Sequence, residues 1–395
     1  MPADATELLR RLVAVPSIAG GDNHPLIAEI AERLNDAGAT VTVLAGTRPG
    51  AQVLHAVLGP ADAPGGLLLA AHGDVVDVEG QSWSSDPFTL RVQDGRLYGR
   101  GTTDMKGFIA ATLAAAAAAR PSSLLAPLHV AISHDEELGC AGTAPLLDAL
   151  AEGGALAAPL AGVVVGEPTE LRVVDRHKGK IAFDITVRGR AAHSATPSSG
   201  VNAVQGAAHL IVALEDLERE LAGETTDGAF STPHATVGVG PISGGVALNI
   251  VPDRCELKVE IRVLPGQSLD AVEARVREVA SRIGSTLAAG ARDAGVDVTR
   301  VAGYPSLEPD PAAAEFAMRV ARVAGRDLSG AVDFGTEAGL YQERLDVPVV
   351  VCGPGAMAQG HTPDEFLEAG QLGAGEAFVV GLLRGLSRST APSSP

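Results

Sequence analysis

Gly66-Leu67-Leu68-Leu69-Ala70-Ala71-His72-Gly73-Asp74 is the stretch on which the reading of the fold turns. Gly66 to Ala71 is a short, continuous apolar run, the pattern of a strand buried on both faces. It runs straight into His72 and Asp74, separated by one glycine. In an open α/β sheet, ligands bind beyond the carboxyl ends of the strands. A lone His-x-Asp is more often structural, so its weight depends on what the neighbouring strand ends carry.

Working outward, helix and strand patterns alternate through the first 170 residues or so. Helices are predicted over 5–15, 24–37, 106–120 and 143–150, and strands over 40–44, 52–58, 66–71, 128–133 and 162–165. This alternation implies an α/β sheet with helices on both faces. The pattern changes near Gly179. Residues 181–188 alternate with a period of two, 201–221 reads as a long amphipathic helix, 235–239 and 255–264 as strands, 269–283 as a helix and 296–302 as a last strand. That is β-α-β-β-α-β, the order of a ferredoxin-like α+β domain. After Tyr304 the α/β pattern resumes, with a helix over 311–323, a strand over 347–351 and a helix over 369–384. The expected organisation is a discontinuous α/β domain, 1–179 and 304–395, with a smaller domain inserted at 180–303. The Ser/Pro-rich tail 387–395 is expected to be disordered.

Bulk properties narrow the function classes. A chain of 395 residues is too long for one comfortable core. Hydrophobic residues make up 46% and charged residues 20%, as in folded soluble proteins, while aromatics at 3% leave the core to Ala, Val and Leu. A formal net charge of −18 repels phosphate backbones and anionic lipid, which argues against nucleic-acid and membrane partners. Cys140, Cys255 and Cys352 are far apart and form no C-x-x-C, so a reducing, cytoplasmic setting is expected. Residues 1–11 carry Asp4 and Glu7 and no apolar stretch of the signal-peptide kind. The nearest approach to a membrane span, Ala110–Ala119, is too short and reads as a packed helix.

The other strand ends do carry chemistry. Asp104 lies in Gly99-Arg100-Gly101-Thr102-Thr103-Asp104, just before a helix. Glu136 and Glu137 follow the strand 128–133, Glu167 follows 162–165, and His361 lies in a loop after 347–351. Carboxylates and imidazoles converging from separate strands need a cation to hold them together. Zn²⁺ accepts such a mixed shell. Five ligands exceed one tetrahedral ion and suit two ions sharing a carboxylate. Asp74 is placed to orient His72.

At these residues the chain resembles the M20 metallopeptidase family, from about residue 5 to about residue 385, and most of all its acetylornithine deacetylase branch. The resemblance is carried by Ala71-His72-Gly73-Asp74-Val75-Val76, Trp83 with Asp86-Pro87-Phe88, Leu97-Tyr98-Gly99-Arg100-Gly101 and Asp104-Met105-Lys106-Gly107. Asp135-Glu136-Glu137, Gly166-Glu167-Pro168-Thr169, His177-Lys178-Gly179, Phe334-Gly335-Thr336-Glu337-Ala338 and Gly360-His361-Thr362-Pro363-Asp364 complete it.

The resemblance implies a zinc-peptidase-like catalytic domain with an inserted lid and dimerisation domain. It also implies two divalent ions per chain, Zn²⁺ foremost, with Co²⁺ and Mn²⁺ as alternatives. His72, Asp104 and Glu167 would hold one ion, and Asp104, Glu137 and His361 the other. Glu136 would be the general base, and His193, in Ala192-His193-Ser194, a lid histidine reaching the partner subunit's site. Arg262 is the expected clamp for a substrate carboxylate, since its fork binds carboxylates bidentately. Asn249, Lys178, Gly335 and Thr336 are expected to line the substrate site, and Glu337 to meet the ammonium of an ornithine side chain.

The expected activity is hydrolysis of an N-acyl amino acid, foremost N-acetyl-ornithine in arginine biosynthesis, by a homodimer. A succinyl-diaminopimelate desuccinylase, a broad N-acetyl amino acid deacylase and a catalytically silent binder of amino-acid derivatives remain as alternatives. The segment Phe334–Gly339 favours the first over the desuccinylase.

Overall fold

The computed structural model describes residues 4–387, so most of the tail expected to be disordered lies outside the described residues. The chain divides into two compact units. One comprises 1–176, 307–330 and 336–395, the other 177–306 and 331–335. The second unit therefore takes in a few residues either side of 180–303, together with a short return segment.

The first unit begins with helices α1 (Ala5–Val13) and α2 (His24–Asp36), then strands β1 (Thr40–Ala45), β2 (Gln52–Leu58), β3 (Gly66–His72), β4 (Arg91–Gln93) and β5 (Arg96–Tyr98). Helix α3 (Gly107–Ala118), β6 (Leu128–Ser133), α4 (Ala144–Ala151), β7 (Leu160–Pro168) and β8 (Val173–His177) follow. The second unit holds β9 (Gly179–Arg188), α5 (Ala203–Glu224), β10 (Thr236–Gly244), β11 (Arg254–Val263), α6 (Leu269–Ala288) and β12 (Gly295–Tyr304). The chain ends with α7 (Ala314–Ala324), β13 (Leu328–Val332), α8 (Ala338–Leu345), β14 (Val349–Gly353), β15 (Phe366–Glu368) and α9 (Ala369–Leu386).

The large sheet has the order β1-β2-β6-β3-β7-β14-β8-β13. At its centre β6, β3, β7 and β14 run parallel. β3 and β6 are buried along their whole length, as the apolar run at 66–71 required. Helix α3 shows why alanine is useful here. Gly107 to Ala116 is buried all round, and small side chains let neighbouring helices approach it without a polar face. Among the described residues no helix is long and apolar enough to cross a membrane.

In the second unit the sheet order is β10-β11-β9-β12, all antiparallel, the ferredoxin-like arrangement. Ile181, Phe183, Ile185 and Val187 of β9 alternate into a core shared with Leu210 and Leu214 of α5 and Val276 of α6. Both helices start on side-chain caps. Asn202 accepts the amide of Gln205, and Ser268 that of Ala271.

Candidate active site

The four central parallel strands deliver the site. His72 closes β3, Glu136 and Glu137 sit just past β6, Glu167 lies near the end of β7, and His361 follows β14. Asp104 enters from the loop before α3, where Asp104 is extended and Met105 is also non-helical. Glycine permits the tight fit behind Glu167. A Cβ on Gly353 of β14 would lie 1.9 Å from the carbonyl oxygen of Gly166, and one on Gly166 would lie 2.0 Å from the Phe108 ring.

Asp104 is the hub. Its Oδ1 is 3.1 Å from His72 Nε2, and its Oδ2 is 3.1 Å from His361 Nε2. His72 Nε2 also lies 3.6 Å from Glu167, and His361 Nε2 3.0 Å from Glu137. The two carboxylate oxygens thus face two separate sets of donors. Among the described residues, His72, Asp104 and Glu137 form one group whose ligand atoms lie within 4.8 Å of one another, and His72, Glu136 and Glu167 form another.

The electrostatics show how closely the charges of the cluster act on one another. Burial, followed by the charge of Asp104, pushes Glu167 well above the usual carboxylate range. Burial and Glu137 push Glu136 up to about 8, against the pull of His72. Glu137 is raised by burial and by Asp104. The compensating positive charge lies on the imidazoles. His361 is raised to about 10 by its bonds to Asp104 and Glu137, and His72 is raised against the cost of its own burial by Asp104 and Asp74. A divalent cation would supply the same charge at the same place and leave the imidazole nitrogens free to ligate. The donor set therefore fits the implied metals.

Asp74 does more than orient His72, and through different atoms from those expected. Its backbone carbonyl meets His72 Nδ1 at 3.0 Å, while its carboxylate is 3.6 Å away. That carboxylate instead accepts the amides of Glu136 (3.2 Å) and Glu137 (3.1 Å), fixing the loop that carries both. Two neighbours of this loop were not anticipated. Asp135, in left-handed backbone, is gripped by Arg48 and by the amide of Gly20. The Cys140 thiol lies 3.4 Å from Glu136 Oε1. The Asp135-Glu136-Glu137 motif contains the former without assigning it a role, and nothing in the sequence around Cys140 marks the latter.

The residues expected to meet substrate divide sharply. Thr336 and Glu337 belong to the first unit and are buried. The Thr336 hydroxyl accepts the amide of Ala338 and so starts α8, and Glu337 accepts the hydroxyl of Thr143. Glu337 is only 1% exposed, so an internal role replaces the expected pairing with a substrate ammonium. Lys178, in the second unit, is likewise 2% exposed and donates to the carbonyls of Thr232 (2.7 Å) and His234 (3.0 Å), with Asp333 at 3.4 Å. Its ammonium is spent internally, which argues against direct substrate contact. At Gly335 any Cβ would strike the Tyr304 ring, so its glycine is a packing requirement.

Three expected residues keep accessible groups within the second unit. His193 and Asn249 are both exposed and adjacent, with Ser194 donating to the Asn249 carbonyl at 3.0 Å. Arg262 donates to Glu260 at 2.7 Å and to the Tyr304 hydroxyl at 3.0 Å, and keeps about a quarter of its side chain exposed.

Known proteins resemble this chain along nearly all of it. It is 35% identical over 370 residues to the acetylornithine deacetylase of Erwinia tasmaniensis, covering 92% of each chain. An M20 family metallo-carboxypeptidase from Sulfolobus solfataricus has the same fold, with a TM-score of 0.77 at 18% identity over 97% of this chain and 99% of that one. A dinuclear metal-binding peptidase of the M20 family from Bacillus subtilis gives 0.67 at 16% identity, over 97% of each. At such identities the two structures speak for the fold alone. The sequence model of peptidase family M20/M25/M40 matches residues 68–385, a span that takes in every ligand candidate, and the chain belongs to that family.

Proposed function

We propose that this chain is a two-metal amidohydrolase that releases acetate from an N-acetyl amino acid, with N-acetyl-ornithine as the preferred substrate. The observation that carries the two-metal part is the division of Asp104, one oxygen towards His72 and the other towards His361. The substrate rests on the 35% identity to an acetylornithine deacetylase.

His72, Asp104 and Glu167 would hold one cation, and Asp104, Glu137 and His361 the other. Zn²⁺ suits this mixed set, and Co²⁺ and Mn²⁺ share it. Bound there, such cations would supply Lewis-acid polarisation of the scissile carbonyl and a lowered pKa for a water. Glu136 takes the proton of the attacking water and returns it to the departing amine. Asp74 keeps Glu136 and Glu137 in register through their amides. His193 donates to the oxyanion, Arg262 binds the amino-acid carboxylate, and Asn249 lines the substrate site.

The second unit pairs with its twin in a homodimer, which its exposed edge strand β10 favours. The three cysteines, free and buried, suit a cytoplasmic location.

The test is a turnover panel of N-acetyl and N-succinyl amino acids with chelated and metal-reconstituted protein. N-acetyl-ornithine should give the highest kcat/KM, and the chelated protein should be inactive. A preference for N-succinyl-diaminopimelate would transfer the chain to the desuccinylases. Full activity after complete metal removal would end the two-metal reading.

A further inference from the structure

Glu365 has no part in the chemistry described above, yet it is 1% exposed and every bond it makes converges on one segment. Its Oε2 accepts Arg100 Nη1 at 2.7 Å and the amide of Gly101 at 2.9 Å. Its Oε1 accepts the amides of Thr103 at 2.9 Å and Asp104 at 3.1 Å. The backbone from Gly101 to Asp104 departs from regular structure, with Gly101 in the left-handed region and Asp104 extended. Its amides therefore need a partner from outside the segment, and the Glu365 carboxylate is that partner.

The other end of the network reaches the second ligand loop. Arg100 Nη2 donates to Gln81 Oε1 at 2.6 Å, and its guanidinium stacks 5.0 Å from the centre of the Trp83 ring. Trp83 Nε1 donates to the same Gln81 oxygen at 3.1 Å. Gln81 Nε2 donates to the backbone carbonyl of His361 at 3.3 Å. One chain of contacts thus holds Asp104 by its amide and His361 by its carbonyl, and leaves both side chains free to ligate.

We propose that Glu365, Arg100 and Gln81 are positioning residues for the cation held by Asp104, Glu137 and His361, and that Trp83, the only tryptophan in the chain, reports its binding. The inference rests on the two-metal reading. None of these residues touches the reacting atoms. They act by ordering two ligand loops in advance, so that binding the ion does not have to. Glu365→Gln keeps the shape but replaces one accepting oxygen with an amide NH2 that faces other donors. It should weaken one of two metal equivalents by about 10–100-fold, the usual cost of losing an outer partner of a ligand.

The experiment is titration with Zn²⁺ against a competing chromogenic chelator, with tryptophan fluorescence followed in parallel, on wild type, Glu365→Gln and Gln81→Ala. Wild type should take two equivalents, with the fluorescence change accompanying one. In Glu365→Gln that equivalent and the fluorescence change should move together to higher Zn²⁺, and at saturating Zn²⁺ kcat should fall more than KM rises. Gln81→Ala, at a partly exposed position, should weaken the same equivalent several-fold. It decides the matter alone if Glu365→Gln does not fold. Wild type that takes up no Zn²⁺ would end the two-metal reading, and this inference with it. Two wild-type equivalents, with unchanged affinities in the folded variants and only a lower melting temperature, would overturn the inference while leaving that reading intact.

Discussion

Glu136 and Glu137 are adjacent, and both amides are held by the same carboxylate, yet their side chains face different partners. Glu137 meets His361, while Glu136 lies beside the Cys140 thiol. Glu136→Ala should therefore keep both metal equivalents and lose about two to four orders of magnitude in kcat, the range for a general base. Glu137→Ala should lose one equivalent. Elemental analysis alongside single-turnover rates decides between them, and a Glu136→Ala protein that loses metal while Glu137→Ala keeps it would reverse the two roles. Of the ligand candidates, all but Asp104 were legible in the sequence because they stand at or after the ends of apolar runs, where a parallel sheet gathers them; Asp104 lies in the loop before α3. Lys178, Thr336 and Glu337 were not, because the residue type is the same whether a polar group faces a cleft or closes an internal bond. Only the partner tells, and their partners Thr232, Ala338 and Thr143 are remote in sequence or hidden in a helix start.

Strands β2 and β6 bury a histidine pair. His55 Nε2 and His129 Nδ1 lie 3.0 Å apart, with the rings stacked at 5.2 Å. Burial lowers both to about 4, and for His129 the neighbouring ring adds to it. A base whose folded pKa is depressed stays neutral in the fold while the unfolded chain, near 6.5, is protonated first. The pair is therefore neutral in both states above about pH 6.5. Stability falls as pH drops from there towards 4, by up to about 2.7 kcal/mol per pH unit if both rings differ by a full proton, and levels off below. Urea unfolding at pH 7.5 and 5.0, in chelator so that metal release plays no part, should show this slope in wild type. The His55→Leu/His129→Leu variant should flatten it, and an equal slope in that variant would rule the pair out. At this scale the long elements were legible, including β-α-β-β-α-β between Gly179 and Tyr304. The strands β4, β5 and β15, three residues each, are too short to show a period, yet they form a sheet of their own. α8, only eight residues long, follows the buried N-cap Glu337, which makes no side-chain cap bond, and its first amide goes to the buried Thr336 hydroxyl.

For the whole molecule the sharpest expectation concerns His193. If each second unit serves the neighbouring subunit, mixing His193→Ala chains with Glu136→Ala chains restores one intact site in every hybrid dimer, about a quarter of wild-type activity after free exchange in equal parts. If His193 serves its own chain, every hybrid site lacks one of the two residues. Activity that stays at the level of the separate variants, with exchange verified by mass, would exclude the crossed arrangement.

The sheet order carries one more consequence, for synthesis. The four strands and two helices of the second unit lie between Gly179 and Tyr304, an unbroken stretch that emerges from the ribosome in one piece. The first unit has no such luxury. β14, which sits between β7 and β8 in its sheet, and His361 beyond it are made only after the whole of the second unit. Until then β7 has an open edge, and the nascent chain carries four of the five ligand candidates without the last. The strands before the second unit are thus made ahead of it, yet their sheet closes only after it, and the edge of β7 stays open through that interval.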